Sequence, residues 1–246
     1  MKLRILSLAA LFTVLALLSS TALVYASAPS EPNMVGSQWA VYEETTLPNG
    51  GLNFYPATHA ITVPTGGVEF QMPDATGSSP TYVNYIMDTF TTSLATSNVL
   101  IATINVVSSS TTIFEGDAFG GENVITPAFV RLFFQSNLPS SNTSSCVGIG
   151  SNVNNYWWAN PTDGSQGSYT FVTGGSGGQL TLSVPLNPAD WSNICGQYGS
   201  SSQAGFAAAI QNIKEVGLSF GSGNFFASGV GVDGSATFQL VSFTIS

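Results

Sequence analysis

Short runs of alternating apolar and polar residues recur along most of the chain and predict β-strands. Val68, Phe70 and Met72, for example, alternate with Glu69 and Gln71. Such a period of two places every second side chain on the same face of a strand, and clusters of Gly, Pro, Asn and Ser separate the runs. We therefore predict an all-β fold, an antiparallel, jelly-roll-like β-sandwich. The other runs of this kind span residues 82–87, 128–134, 169–172, 180–184, 216–220 and 236–245.

Two segments depart from this alternation. Residues 99–107 are almost continuously apolar, which predicts a central strand covered on both faces. In residues 206–213, Phe206, Ile210 and Ile213 recur at helical spacing, which predicts one short helix of about two turns that packs between strands.

The N-terminus has the layout of an export signal. Residues 1–26 combine a basic start, a long apolar stretch and small residues at the end, which predicts a signal peptide. Residues 27–38 predict a flexible leader, and residues 39–246 a single β-sandwich domain without an internal linker. We expect a secreted, extracellular protein that has no further membrane-spanning segment after signal cleavage.

Charged residues are scarce and mostly acidic. The chain has 4 Lys and Arg residues against 13 Asp and Glu residues. Loss of Lys2 and Arg4 with the signal leaves two cations against thirteen acids, a net charge of −11. Two cations cannot neutralise a phosphate backbone or hold an anionic membrane, so we expect neither nucleic acid nor a membrane as partner. A surface with few ion pairs also suggests tolerance of acid.

The two cysteines, Cys146 and Cys195, both lie in the predicted mature chain. An isolated pair usually bonds in an oxidising compartment, so we expect a disulfide, with two free buried thiols as the alternative.

The sequence carries few signals of catalysis. His59 is the only histidine, which leaves a nucleophilic triad without an obvious base and a zinc site without enough ligands. Glycoside cleavage needs two carboxyl groups that face each other across a cleft. Glu69 and Glu215 are candidates in predicted strands, although their spacing also suits outward-facing polar positions. We therefore assign no catalytic residue.

One acidic segment could bind a metal ion. Glu115, Asp117 and Glu122 lie within eight residues and are separated by glycines. Carboxylate oxygens on a flexible loop are ligands that suit calcium, so we expect calcium as a candidate cofactor here. A solvated loop without a metal is the alternative.

A cluster of aromatic and amide side chains provides a candidate binding site at Tyr156, Trp157, Trp158 and Asn160. Because adjacent strand residues face opposite ways, one indole could lie in the core while the other stacks on the apolar face of a sugar ring. Core packing of both tryptophans is the alternative. Further candidate stacking residues near the mature N-terminus are Trp39, Tyr42 and Tyr55.

The C-terminal half, roughly residues 128–245, resembles a family of uncharacterised exported bacterial proteins. The resemblance is carried by residues 130–135, 156–161, 184–192, 216–226 and 229–232. In that family an Arg precedes the Trp pair and a His precedes the Gly-Val pair, whereas this chain has Tyr156 and Ser228. The order of elements is also similar to galactose-binding jelly rolls and carbohydrate-binding modules, many of which bind glycans and some calcium.

Together these observations lead us to expect a secreted, non-catalytic, carbohydrate-binding-like module with a polysaccharide or glycan as partner. The alternatives are a structural or surface-matrix protein, whose Ser-, Thr- and Gly-rich faces would serve assembly, and a jelly-roll glycoside hydrolase.

Overall fold

The computed structural model describes residues 31–46, 52–76, 80–117, 127–140, 146, 152–222 and 226–246. Two antiparallel sheets pack face to face, and one α-helix lies among the strands. The predicted antiparallel β-sandwich with one short helix is therefore confirmed. The predicted signal peptide lies outside the described residues.

The chain crosses several times between the two sheets. The elements are β1 (Trp39–Thr46), β2 (Leu52–His59), β3 (Ile61–Thr62), β4 (Val68–Gln71), β5 (Thr81–Thr89), β6 (Val99–Ser108), β7 (Ile113–Gly116), β8 (Phe129–Ser136), β9 (Tyr156–Ala159), β10 (Ser168–Thr170), β11 (Gln179–Pro185), β12 (Trp191–Asn193), α1 (Gln203–Gln211), β13 (Ile213–Gly221), β14 (Val230–Asp233) and β15 (Ala236–Ile245). The larger sheet has the hydrogen-bonded order β12-β9-β8-β13-β5-β1-β2, with β10 beside β8 and with β14 beside β5 and β7; the smaller sheet has the order β11-β6-β15-β4-β3.

Aromatic side chains from both sheets form the centre of the core. Phe220 of β13 meets Phe238 of β15 with 4.9 Å between ring centroids, and Trp39 of β1 lies 5.8 Å from Phe243 of β15. All four rings are buried. Such contacts between facing sheets account for the packing of the sandwich because each strand turns one apolar face inward.

The apolar segment at residues 99–107 differs from its prediction. It forms β6, which lies between β11 and β15, so it is a central strand. Only one face is buried, however: Leu100, Ala102 and Ile104 are in the core, whereas Val107 is 52% exposed. The expectation of two covered faces is wrong because the smaller sheet packs against the larger sheet on one side only.

The helix is close to its predicted position. Helix α1 ends at Gln211, and Phe206 packs 5.0 Å from Trp157 and 6.1 Å from Phe134. Ile213 is buried as expected, but it is the first residue of β13 instead of part of the helix.

Cys146 and Cys195 form a disulfide across a sequence separation of 49 residues. This bond, which confirms the expected pairing, attaches residue 146 to the turn that follows β12.

Candidate functional site

The predicted tryptophan platform is buried. Trp157 is 0% and Trp158 is 1% exposed. The expected alternation does occur, since Trp157 belongs to the main core and Trp158 to a separate cluster on the opposite side of the larger sheet. Tyr156, Phe133 and Phe226 pack around Trp158, which leaves neither indole face open to a ligand.

The other two residues of the predicted site have different roles. Tyr156 is half-buried and stacks on Trp158 at 6.3 Å, so part of its own ring remains accessible. Asn160 uses its side-chain amide within the protein: Nδ2 donates to the Tyr198 hydroxyl at 2.9 Å. Of the four predicted residues, Tyr156 thus retains an accessible ring.

Tyr156 belongs to what we call the outer face, the side of the larger sheet that points away from the smaller sheet. Strand positions that alternate with core residues form this face, so it has its own aromatic cluster. Tyr85 lies 4.9 Å from Phe133, and Phe133 lies 5.2 Å from Trp158. The cluster consists of buried Met87, Phe133, Trp158 and Ala227 and of partly buried Tyr42, Tyr85, Tyr156, Ile194 and Phe226.

Arg131 places a positive charge on the outer face. Its guanidinium lies 4.1 Å from the ring centroid of Phe226, and its Nη1 donates to the Ala159 carbonyl at 3.3 Å. Burial lowers the pKa of this guanidinium. Among the described residues, an ion pair is found between Lys214 and Glu215, with 3.5 Å between Nζ and Oε1. Arg131 is therefore held by an aromatic ring and a carbonyl group.

A polar cleft opens where β1, β5 and β13 lie side by side. Its volume is about 630 Å³, and its lining includes Tyr42, His59, Asp88 and Glu215. Burial raises the pKa of Asp88 to about 6, although a hydrogen bond from the Thr89 backbone favours the ionised form. Burial, followed by the nearby charge of Glu215, raises the pKa of Tyr42. The cleft thus offers both ring surface and hydrogen-bonding groups.

The suggested carboxyl pair is not assembled. Glu215 lies on β13 of the larger sheet, whereas Glu69 lies on β4 of the smaller sheet and accepts a hydrogen bond from Gln239 Nε2 at 2.9 Å. Because the two residues belong to different sheets and only Glu215 lines the cleft, they cannot work together across it.

The predicted calcium set is only partly described. Glu115 lies in β7 and Asp117 directly follows this strand, whereas Glu122 lies outside the described residues. Burial and the charge of Asp233 raise the pKa of Glu115. In the part of the chain that the structure describes, no group of three or more His, Cys, Asp or Glu side chains could hold a metal ion.

Sequence reasoning missed most of the outer face. Of the three further stacking candidates, Tyr42 lies on this face, Trp39 is in the core, and Tyr55 pairs with Glu43 and is half-buried. Arg131 and Phe133 alternate with core residues of β8, so a strand with apolar residues on both sides was the signal for a second packed face.

No protein family model matches the chain, and a comparison with curated proteins found no match. None of the helices among the described residues is long and apolar enough to cross a membrane.

Proposed function

We propose that this protein is a secreted, non-catalytic carbohydrate-binding module and that the outer face is its binding site. The observation that carries the proposal is the arrangement of partly exposed Tyr42, Tyr156 and Phe226 on one sheet face, with the polar cleft beside Tyr42. In this proposal these three rings, and not the two indoles predicted from the sequence, stack on the sugar.

The chemistry of the face suits a sugar chain. An aromatic ring covers the apolar face of a pyranose, and polar groups nearby bond the hydroxyls. In the cleft the side chains of Asp88, Thr89 and Glu215 can accept or donate such bonds. A sheet holds these groups at fixed spacings, so little ordering cost opposes binding of an extended chain.

Secretion is supported by two features. The first 26 residues have the layout of a signal peptide, and the mature part contains the Cys146–Cys195 disulfide, a bond typical of oxidising compartments.

Affinity electrophoresis through gels that contain soluble polysaccharides tests the proposal. We expect at least one neutral polysaccharide to retard the native protein. Tyr42→Ala and Tyr156→Ala should each weaken binding about tenfold, because each removes one stacking contact.

Tyr55→Ala is the matched control. Tyr55 is a half-buried tyrosine on β2, the strand next to β1, and its hydroxyl lies 3.1 Å from Thr45 Oγ1. It is outside the outer-face cluster, so binding should be unchanged. If no polysaccharide retards the native protein, or if Tyr55→Ala weakens binding as much as the other variants, the proposal fails. The first result would favour the structural or surface-matrix alternative.

One observation favours a glycoside hydrolase as a second candidate. A carboxyl group whose pKa lies close to the working pH can act as a general acid, and burial raises the pKa of Asp88 to about 6 in a cleft that also contains Glu215. Release of reducing ends from a bound polysaccharide, abolished by Asp88→Asn and by Glu215→Gln, would establish this activity. Binding without release would exclude it for that polysaccharide.

A further inference from the structure

A buried carboxyl group lies at the end of the outer face remote from the cleft. Glu44 of β1 is 1% exposed, and neither of its carboxyl oxygens has a hydrogen-bond partner among the described residues. An ionised carboxylate in this state would cost several kcal/mol, so buried charges are normally paired or bound to a metal ion. Glu44 therefore needs a proton or a cation.

The backbone brings a second carboxyl group to Glu44. Gly229 has a φ of 99°, and a Cβ built on it would lie 3.1 Å from Glu44 Oε1. The backbone N–H of Asp117 donates to the Gly229 carbonyl at 3.0 Å. Glu44 lies on β1 and Asp117 directly follows β7, so the two residues are distant in sequence; Gly229, which has no side chain, lies against both. The charge of Asp117 also contributes to the raised pKa of Glu44.

The surrounding groups do not balance this negative charge. Burial raises the pKa of Tyr82 to about 12, and the charges of Asp117, Glu115 and Glu44 add to this rise. The Asn84 amide also lies beside Glu44 and favours its ionised form, but the amide is neutral and its Nδ2 also donates to the Ala227 carbonyl at 2.9 Å. The two cations of the described chain are engaged elsewhere, Lys214 with Glu215 and Arg131 with Phe226.

We propose that Glu44 and Asp117 together bind a hard divalent cation, Ca²⁺. Two carboxylates can supply up to about four oxygen ligands, and water and main-chain carbonyls commonly complete a calcium shell. The site differs from the calcium loop predicted by sequence because its first ligand, Glu44, lies on β1. The cation would join β1 to the end of β7 at one end of the outer face, and it does not depend on the glycan proposal.

Isothermal titration of the chelator-treated, full mature protein with CaCl₂ at neutral pH tests the site. We expect one Ca²⁺ per chain, weaker binding of Mg²⁺, and a rise in Tm with Ca²⁺. Glu44→Gln and Asp117→Asn should each lower the affinity for Ca²⁺ by at least about tenfold, because each removes a charged ligand.

Glu69→Gln is the matched control, because Glu69 is a partly buried carboxyl on the smaller sheet that bonds Gln239. Its affinity for Ca²⁺ should equal that of the native protein. Each variant is first checked for a cooperative melt. If Glu44→Gln does not fold, the affinity of Asp117→Asn for Ca²⁺ decides the test. Absence of binding and of a Tm shift in the native protein would overturn the proposal. So would native affinity in the folded variants, or an equal loss in Glu69→Gln.

Discussion

Replacing Glu44 with glutamine isolates the cost of one buried carboxyl group. Burial, and then the charge of Asp117, raises the pKa of Glu44 from 4.5 to about 8. The folded protein therefore keeps a proton that the unfolded chain releases between pH 4.5 and pH 8. The contribution of Glu44 to the free energy of unfolding is complete below pH 4.5 and is lost as the pH rises to about 8.

The size of this effect follows from the shift. At about 1.4 kcal/mol per pKa unit, the rise from 4.5 to about 8 corresponds to about 5 kcal/mol, an upper limit because the site can relax. A domain has about 5–15 kcal/mol in total, so ionisation of Glu44 removes a large share of the stability. Glutamine has nearly the same shape and stays neutral, so the variant avoids this loss.

Urea unfolding in the presence of a chelator, from acidic to mildly alkaline pH, measures the effect. We expect Glu44→Gln to match the native protein near pH 4.5 and to exceed its free energy of unfolding by several kcal/mol above pH 8. Asp88, whose pKa is raised to about 6, is present in both proteins and cancels in the difference. Parallel curves for the two proteins between pH 5 and pH 8 would refute the reasoning.

Three further predictions concern stability. Replacing Cys146 and Cys195 with serine should lower the free energy of unfolding by about 4 kcal/mol, because the bond closes a loop of 49 residues; an unchanged urea midpoint would contradict this. Trp157→Ala should cost about 3–5 kcal/mol by the same assay because the indole is 0% exposed, and a loss below about 1 kcal/mol would show that it is not a core residue. Gly229→Ala should lower Tm more than Gly66→Ala does: both have positive φ, but a Cβ at Gly229 would lie 2.6 Å from Tyr82 Cβ, whereas one at Gly66 meets nothing within 4 Å. Equal losses in Tm would contradict the packing around Gly229.

The strands were predictable because their pattern is local. Along β4, apolar Val68 and Phe70 are buried, whereas polar Glu69 and Gln71 between and after them are more exposed. The disulfide was predictable from two cysteines and an expected compartment. The number of covered faces of β6 was not predictable, because the exposure of Val107 depends on what packs against the smaller sheet.

The candidate site was less predictable because distant segments assemble it. Alternation correctly separated Trp157 from Trp158, but the cover over Trp158 includes Phe226, which is 68 residues away in sequence. Tyr42 meets Tyr85 through the pairing of β1 with β5, and the order of strands in a sheet cannot be read from local periodicity. The same is true of the approach of Asp117 to Glu44.

Hydroxyl-radical footprinting tests most directly whether the outer face is the binding surface. The protein is labelled alone and with the polysaccharide that retards it most, and the modified residues are counted by mass spectrometry. The account predicts that the polysaccharide protects Tyr42, Tyr156 and Phe226 and leaves Tyr55 unchanged. Protection confined to Tyr55 or to exposed Val107 of the smaller sheet, with the outer face labelled as before, would contradict it.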